Sequence, residues 1–179
     1  MERLYYKSPY VKEFEAVVTD CREGKKGRYE VVLDQTAFFP EGGGQPGDTG
    51  VLGQAQVLDT HEKNGEVVHE TDRPLAVGEK VKGVLDWEKR FDNMQGHSGE
   101  HILTGLIHKT FGFDNVGFHM GKEEITIDFN GTMTMEQLKE LEIKANQVVY
   151  ENVPNVITCP SQEELETMEY RSKKELTGE

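Results

Sequence analysis

The chain is short of cysteine, of long apolar runs and of positive charge. Its 179 residues contain two cysteines, Cys21 and Cys159, which lie far apart and form no CxxC pair. A disulfide framework is not expected, and the usage fits a reducing cytoplasm. No apolar run approaches the ~20 residues that span a bilayer. The opening MERLYYKSPY lacks the apolar stretch of a signal peptide. A membrane protein and a secreted mini-protein are therefore not expected. Lysine and arginine total 20 against 33 acidic residues, a net charge of −13. That balance argues against a general DNA or RNA coat protein. It still allows a partner that meets one local basic face, for which Lys7, Lys12, Lys25, Lys26, Arg28, Lys89, Arg90, Lys109 and Lys122 are the available cations.

What is present reads as two parts. Residues 9–86 carry short β-runs with turn punctuation: VKEFEAVVTDC, RYEVVLD, VLGQAQVLDTHE, EVVHET and VKGVLDW. Asn64-Gly65 suits a tight hairpin turn. Short strands joined by polar turns predict a small β-barrel or sandwich over 1–86. Near Asp86 the period changes. Apolar residues at 87, 91, 94, 102, 103, 106, 107 and 111 fit a helix, which Asp86 can cap. VGFHM and EITIDF predict an antiparallel pair around Gly121-Lys122. Thr134 and Gln137 have capping-box spacing at the head of a second helix. VITC reads as a short strand, SQEELETMEY as a short helix, and Cys159 as a buried thiol. Phe111, Phe113 and Phe118 read as core. The expected class is α+β: an all-β part, 1–86, followed by an α+β part, 87–179.

Two constellations carry chemistry. The first is TAFFPEGGGQPGD, residues 36–48. Three consecutive glycines are costly in backbone entropy. They make sense where a ligand comes very close to the main chain, or where several residues need positive φ. No Gly-Lys-Ser/Thr follows, so this is not a Walker loop. No GxGxxG leads into a helix, so it is not a dinucleotide fingerprint. The second is His97-Ser98-Gly99-Glu100-His101. Histidines at i and i+4 share a helix face, and both imidazoles can reach one zinc ion. They can equally be two helix histidines bonded to solvent or carbonyls. Ser98 stands where a HExxH protease needs its Glu. Two ligands are also fewer than the three of a usual catalytic zinc site.

Together these segments resemble a family. TAFFPEGGGQPGDTG is similar to the glycine motif of the alanyl-tRNA synthetase editing domain and of its free-standing AlaX relatives. RFDNMQGHSGEHIL resembles the HxxxH segment of that family, and VGFHMGKEEITIDFN and YRSKKELTGE resemble further segments. The resemblance runs from Tyr10 to the end. It implies the second additional domain type of alanyl- and threonyl-tRNA synthetases for residues 87–179, and a hydrolase that deacylates tRNA for alanine mischarged with Ser, or with Gly. The implied cofactor is Zn2+, held by His97 and His101. Thr36 is implied as the sensor of the serine hydroxyl, with Gly42, Gly43, Gly44 and Gln45 lining the substrate. Gln45, His97 and His101 form the expected catalytic set. In the family a CxxxH motif completes the zinc site, and ITCPSQEE has no His four residues after Cys159. The remaining Cys and His ligands are therefore expected beyond Glu179, and the chain is expected to be an N-terminal portion. The expected partner is the 3′ acceptor end of tRNA, with no DNA and no membrane. The alternative is a non-catalytic tRNA- or protein-binding module of the same fold.

Overall fold

The computed structural model describes residues 1–121, 123–168 and 170. Lys122, one of the candidate surface cations, and residues 171–179 of the family-like terminal segment lie outside them. The elements are β1 (Glu2–Arg3), α1 (Leu4–Lys7), β2 (Glu13–Glu23), β3 (Tyr29–Leu33), β4 (Gln35–Thr36), β5 (Gly50–Leu52), β6 (Ala55–Lys63), β7 (Glu66–Thr71), β8 (Lys80–Leu85), α2 (Trp87–Phe111), β9 (Asn115–Met120), β10 (Ile125–Phe129), α3 (Met135–Tyr150) and α4 (Gln162–Thr167). Helices and mostly antiparallel strands make this an α+β chain. Among the described residues no helix is long and apolar enough to cross a membrane.

Six strands form a closed hydrogen-bonded ring in the order β2, β3, β7, β6, β5, β8, with β8 pairing back onto β2. Alternating side chains of these strands point inward. Phe14, Ala16 and Val18 from β2, Val31 and Leu33 from β3, and Val81 and Leu85 from β8 are buried there. Phe38, with no exposed surface, sits among them and meets Phe14 and His69 edge to face at 5.8 and 5.4 Å. VLGQAQVLDTHE, expected as one strand, is two. The chain turns at Gly53, which has φ +57, so β5 pairs with β6 on one side and with β8 on the other.

The ring interior also holds polar groups. His69 and Thr36 are both fully buried. The Val31 carbonyl lies 3.0 Å from His69 Nδ1, so Nδ1 carries the proton and donates. His69 Nε2 therefore accepts from the Thr36 hydroxyl at 2.8 Å. The Phe38 N–H donates to the same hydroxyl oxygen at 3.1 Å. Burial pulls the His69 pKa down to about 4, so the ring is neutral.

From Asp86 onward the helical period holds. The Asp86 side chain accepts from Lys89 N–H at 3.3 Å, and α2 runs unbroken through Gly96 and Gly99. A Cβ on Gly96 would lie 2.6 Å from Ile125 Cδ1, so this glycine admits β10 against the helix. β9 and β10 pair antiparallel as the sequence predicts. Thr134 and Gln137 exchange capping bonds of 2.8 and 3.3 Å at the head of α3. Chain contacts define two compact units, Met1–Ala145 and Asn146–Glu179, divided within α3.

Three expectations are corrected. VITC is not a strand. Residues 153–161 have no regular structure, and Val156 and Ile157 are 80 % and 77 % exposed, without a neighbouring strand among the described residues. Cys159, in that segment, is exposed rather than buried. Phe111, Phe113 and Phe118 are half-buried: Phe111 and Phe113 stack on each other at 5.7 Å, and Phe118 lies 5.5 Å from His97.

The neutral, buried His69 makes stability depend on pH. Its folded pKa lies below the unfolded value, so the unfolded state binds the extra proton between about pH 4 and 6.5. Stability is then full above that window and lost as pH falls through it, by about 3 kcal/mol. Urea unfolding across pH 4–7 should show this loss in the wild type, and a His69→Gln variant should show a flatter profile.

Candidate functional site

The glycine motif connects β4 to β5, and α2 grips both of its ends. Arg90 and Asp48 form a buried ion pair. Arg90 Nη1 also donates to the Ala37 carbonyl at 3.3 Å, and Lys89 Nζ donates to the Gly47 carbonyl at 2.9 Å. Arg90 therefore does not join the surface cations proposed for a basic face, because burial beside Asp48 commits its charge. Asp48 Oδ2 accepts from the Phe39 N–H at 2.7 Å, and the Asp48 N–H donates to the Phe39 carbonyl at 2.9 Å. Burial raises the Asp48 pKa, and the Arg90 guanidinium opposes the rise.

Between these anchors, Gly42 and Gln45 exchange backbone bonds of 3.1 and 3.0 Å around Gly43 and Gly44. Gly43 has φ +61 and Gly44 φ +85. Positive φ at both central residues is the signature of a type I′ turn, where side chains bearing Cβ are strained. A Cβ on Gly44 would also lie 2.5 Å from Phe118 Cδ1, and one on Gly43 would lie 3.5 Å from His97 Cε1. The triple glycine thus supplies the turn and lets it lie against Phe118 and His97.

His97 and His101 share one face of α2. Their rings are stacked at 5.1 Å with 12° between planes, and Phe118 leans on His97 at 5.5 Å. Burial lowers the His97 pKa, and the neighbouring His101 adds to that, while Glu100 opposes it. His97 Nδ1 lies 2.9 Å from Gln45 Oε1, a carbonyl-type acceptor, so Nδ1–H donates and Nε2 keeps its lone pair. Gln45 is 5 % exposed, which fixes that geometry.

A parallel arrangement serves His101. Glu100 is buried although charged. Its Oε1 accepts from Thr104 Oγ1 and Asn115 Nδ2, both at 2.6 Å, and its Oε2 lies 3.4 Å from His101 Nδ1. Both imidazoles therefore have Nδ1 facing an oxygen acceptor and Nε2 without a hydrogen-bond partner among the described residues. This is how outer partners orient histidines that bind a metal. Potential donor atoms of His97, Glu100 and His101 all lie within 4.8 Å of one another. An imidazole pair held this way fits a zinc ion. Asp59, His61 and Glu70 form a second such group, but Glu70 is committed to an ion pair with Arg28.

Gly42, Gly43, Gly44, Gln45, His97 and His101 thus meet at one place. Thr36 does not join them by hydrogen bond, since its hydroxyl bonds to His69 and Phe38 inside the ring. Reading the sequence missed the support around the histidines: Phe118, Thr104 and Asn115. The i, i+4 spacing of Glu100 and Thr104 was the available cue. No local pattern marks Asn115 or Phe118, which depend on how β9 packs.

The chain is similar to known proteins. Residues 5–89 match the family model described as tRNA synthetases class II (A). The alanyl-tRNA editing protein AlaX-L of Pyrococcus horikoshii is 43 % identical over 165 residues, covering 88 % of this chain and 40 % of that protein. AlaX-M of Methanosarcina mazei is 37 % identical over 165 residues, covering 84 % of this chain and 64 % of the relative. AlaX-M of Methanosarcina barkeri is 34 % identical over 177 residues, covering 92 % and 71 %. The chain therefore spans less than two thirds of the first two relatives and more than two thirds of the third. Identity at this level, sustained across the glycine turn and the histidine helix, means that the chain belongs to the AlaX family of alanyl-tRNA editing proteins.

Proposed function

We propose that this chain carries the hydrolytic site of an editing enzyme that deacylates tRNA for alanine mischarged with Ser, or with Gly. In this reading residues 1–86 carry the glycine turn and 87–179 the histidine helix. The observation that supports it most is the pair of unengaged Nε2 atoms, on His97 and His101, set beside the glycine turn. The need for such an activity is physical. A pocket built for alanine rejects an isostere that adds only a hydroxyl by no more than about 10²-fold, so a second site must remove the error.

Each residue has a defined task. His97 and His101 hold Zn2+ through Nε2. When bound, the ion supplies Lewis acidity toward an ester carbonyl or a water molecule. Gln45 holds the His97 ring and tautomer through Nδ1–H, and Glu100 holds the His101 ring. Gly43 and Gly44 let the turn lie directly against His97 and Phe118, which brings its main chain to the imidazole edge. Phe118 covers one side of His97 and excludes water there. Thr36 is the proposed reader of the serine hydroxyl. Its own hydrogen goes to His69, so its oxygen acts as an acceptor: serine has a hydroxyl to offer it, and glycine has none. Thr36 has no exposed surface, so the reading also requires the loop above it to yield when substrate binds.

Two outcomes are expected. The protein extended beyond Glu179, where the remaining Cys and His ligands are expected, should bind zinc and hydrolyse seryl-tRNA for alanine, and His97→Ala combined with His101→Ala should abolish both. Zinc content measured by mass spectrometry, with His61→Ala as a control that keeps its zinc, checks the assignment; a double variant that retains zinc would refute it. Thr36→Val should slow hydrolysis of seryl-tRNA more than that of glycyl-tRNA. Removing the hydroxyl also leaves His69 Nε2 and the Phe38 N–H unpaired, at a cost of about 1–3 kcal/mol in stability. The two hydrolysis rates are therefore compared as a ratio within each variant, and an unchanged ratio would mean that Thr36 serves only the ring.

A further inference from the structure

The first turns of α2 carry a stack of aromatic rings that the fold does not cover. Trp87 and Phe91 stand four residues apart on the helix and stack at 5.7 Å with 25° between planes. Tyr10 lies 6.3 Å from Trp87 on the other side. Lys12 Nζ sits 4.5 Å from the Trp87 ring centroid, within cation–π range. Trp87 is half-buried at the centre. The flanking rings carry the open faces, with Tyr10 62 % and Phe91 38 % exposed.

The arrangement is held from beneath. The buried Arg90 donates through Nη2 to the Pro9 carbonyl at 3.4 Å, which ties the segment before Tyr10 to the helix. The Leu85 N–H donates to the Lys12 carbonyl at 2.9 Å, which fixes Lys12 at the end of β8. The rings are thus ordered before any partner arrives.

Resting on the editing reading above, the geometry points to this stack as a platform for the unpaired bases at the 3′ end of the tRNA. Three features favour that occupant. Tyr10 and Phe91 leave aromatic surface open, and aromatic rings take flat bases by stacking whatever their sequence. A cation stands beside the rings to meet a phosphate. The platform also leads along α2 toward the histidines: six residues separate Phe91 from His97, about 9 Å at 1.5 Å per residue, within reach of a few nucleotides. Asp86, Glu88 and Asp92 flank the patch on the same helix, so stacking rather than charge must provide the affinity, and binding should depend only weakly on salt.

Trp87 is the single tryptophan of the chain, so its fluorescence reports on the platform directly. The probe is a short RNA ending in CCA and carrying no amino acid, titrated into the full chain. Saturable quenching is expected. Tyr10→Ala and Phe91→Ala should each weaken binding about five-fold or more, as loss of one base stack implies. The slope of log K against log salt should be near −0.7, the value for one phosphate contact on a single strand, and Lys12→Ala should flatten it. Quenching unaffected by Tyr10→Ala and Phe91→Ala, or a Trp87 signal that changes with protein concentration and not with RNA, would overturn the platform, the latter in favour of a second copy of this chain. RNA binding as described without deacylation by the protein extended beyond Glu179 would sink the hydrolase reading and leave the platform standing. Deacylation without any effect of the ring variants on RNA binding would do the reverse.

Discussion

One hydrogen bond joins the two halves of the candidate site: His97 Nδ1 to Gln45 Oε1, at 2.9 Å. It links a side chain from the glycine turn to a side chain from the middle of α2. It determines which imidazole nitrogen bears the proton, and so which one faces outward with a lone pair. Much of the surrounding architecture serves to bring those two atoms together. The turn needs positive φ at Gly43 and Gly44 to place Gln45. The Gln45 side chain must be buried, since an exposed amide would trade this partner for water.

The position of the turn is set further away. Phe38 is sunk among the inward side chains of the strand ring, which anchors the motif at its start. The Arg90–Asp48 pair and the bond from Lys89 to the Gly47 carbonyl anchor its end to α2. Removing one partner of such a buried pair would strand a charge, at a cost of about 3–5 kcal/mol. The same helix that grips the loop therefore presents His97 and His101 two to three turns later. Loop and histidine pair are coupled by one continuous helix rather than by a flexible hinge.

Much of this was legible from residues alone. The β-runs, the change of period at Asp86, its cap, the Thr134 capping box and the β9–β10 hairpin all carry short-range signals, and the structure shows each of them. Histidines four apart on a helix must share a face, so their stacking was also legible. Other features were not, because they are properties of packing. Gly53 splits one apparent strand into two, and only ring closure through β5 shows why. The thiol of Cys159 is exposed, and VITC has no strand beside it among the described residues. Arg90 looks like any surface cation in sequence, yet it is buried because Asp48, 42 residues earlier, lies opposite. Thr36 opens the motif but turns its hydroxyl inward to His69. Nothing local to either residue announces that pairing.

The central claim is that two oriented imidazoles present their Nε2 atoms to a single zinc ion. Nitrogen-15 NMR of the histidine side chains, recorded on the metal-free chain and again after adding zinc, tests it most directly. The account predicts that metal-free His97 is the neutral Nδ1–H tautomer, and that zinc shifts the Nε2 resonances of His97 and His101 together. A His97 protonated on Nε2 before zinc is added, or a shift confined to Nδ1 or to His61, would contradict it.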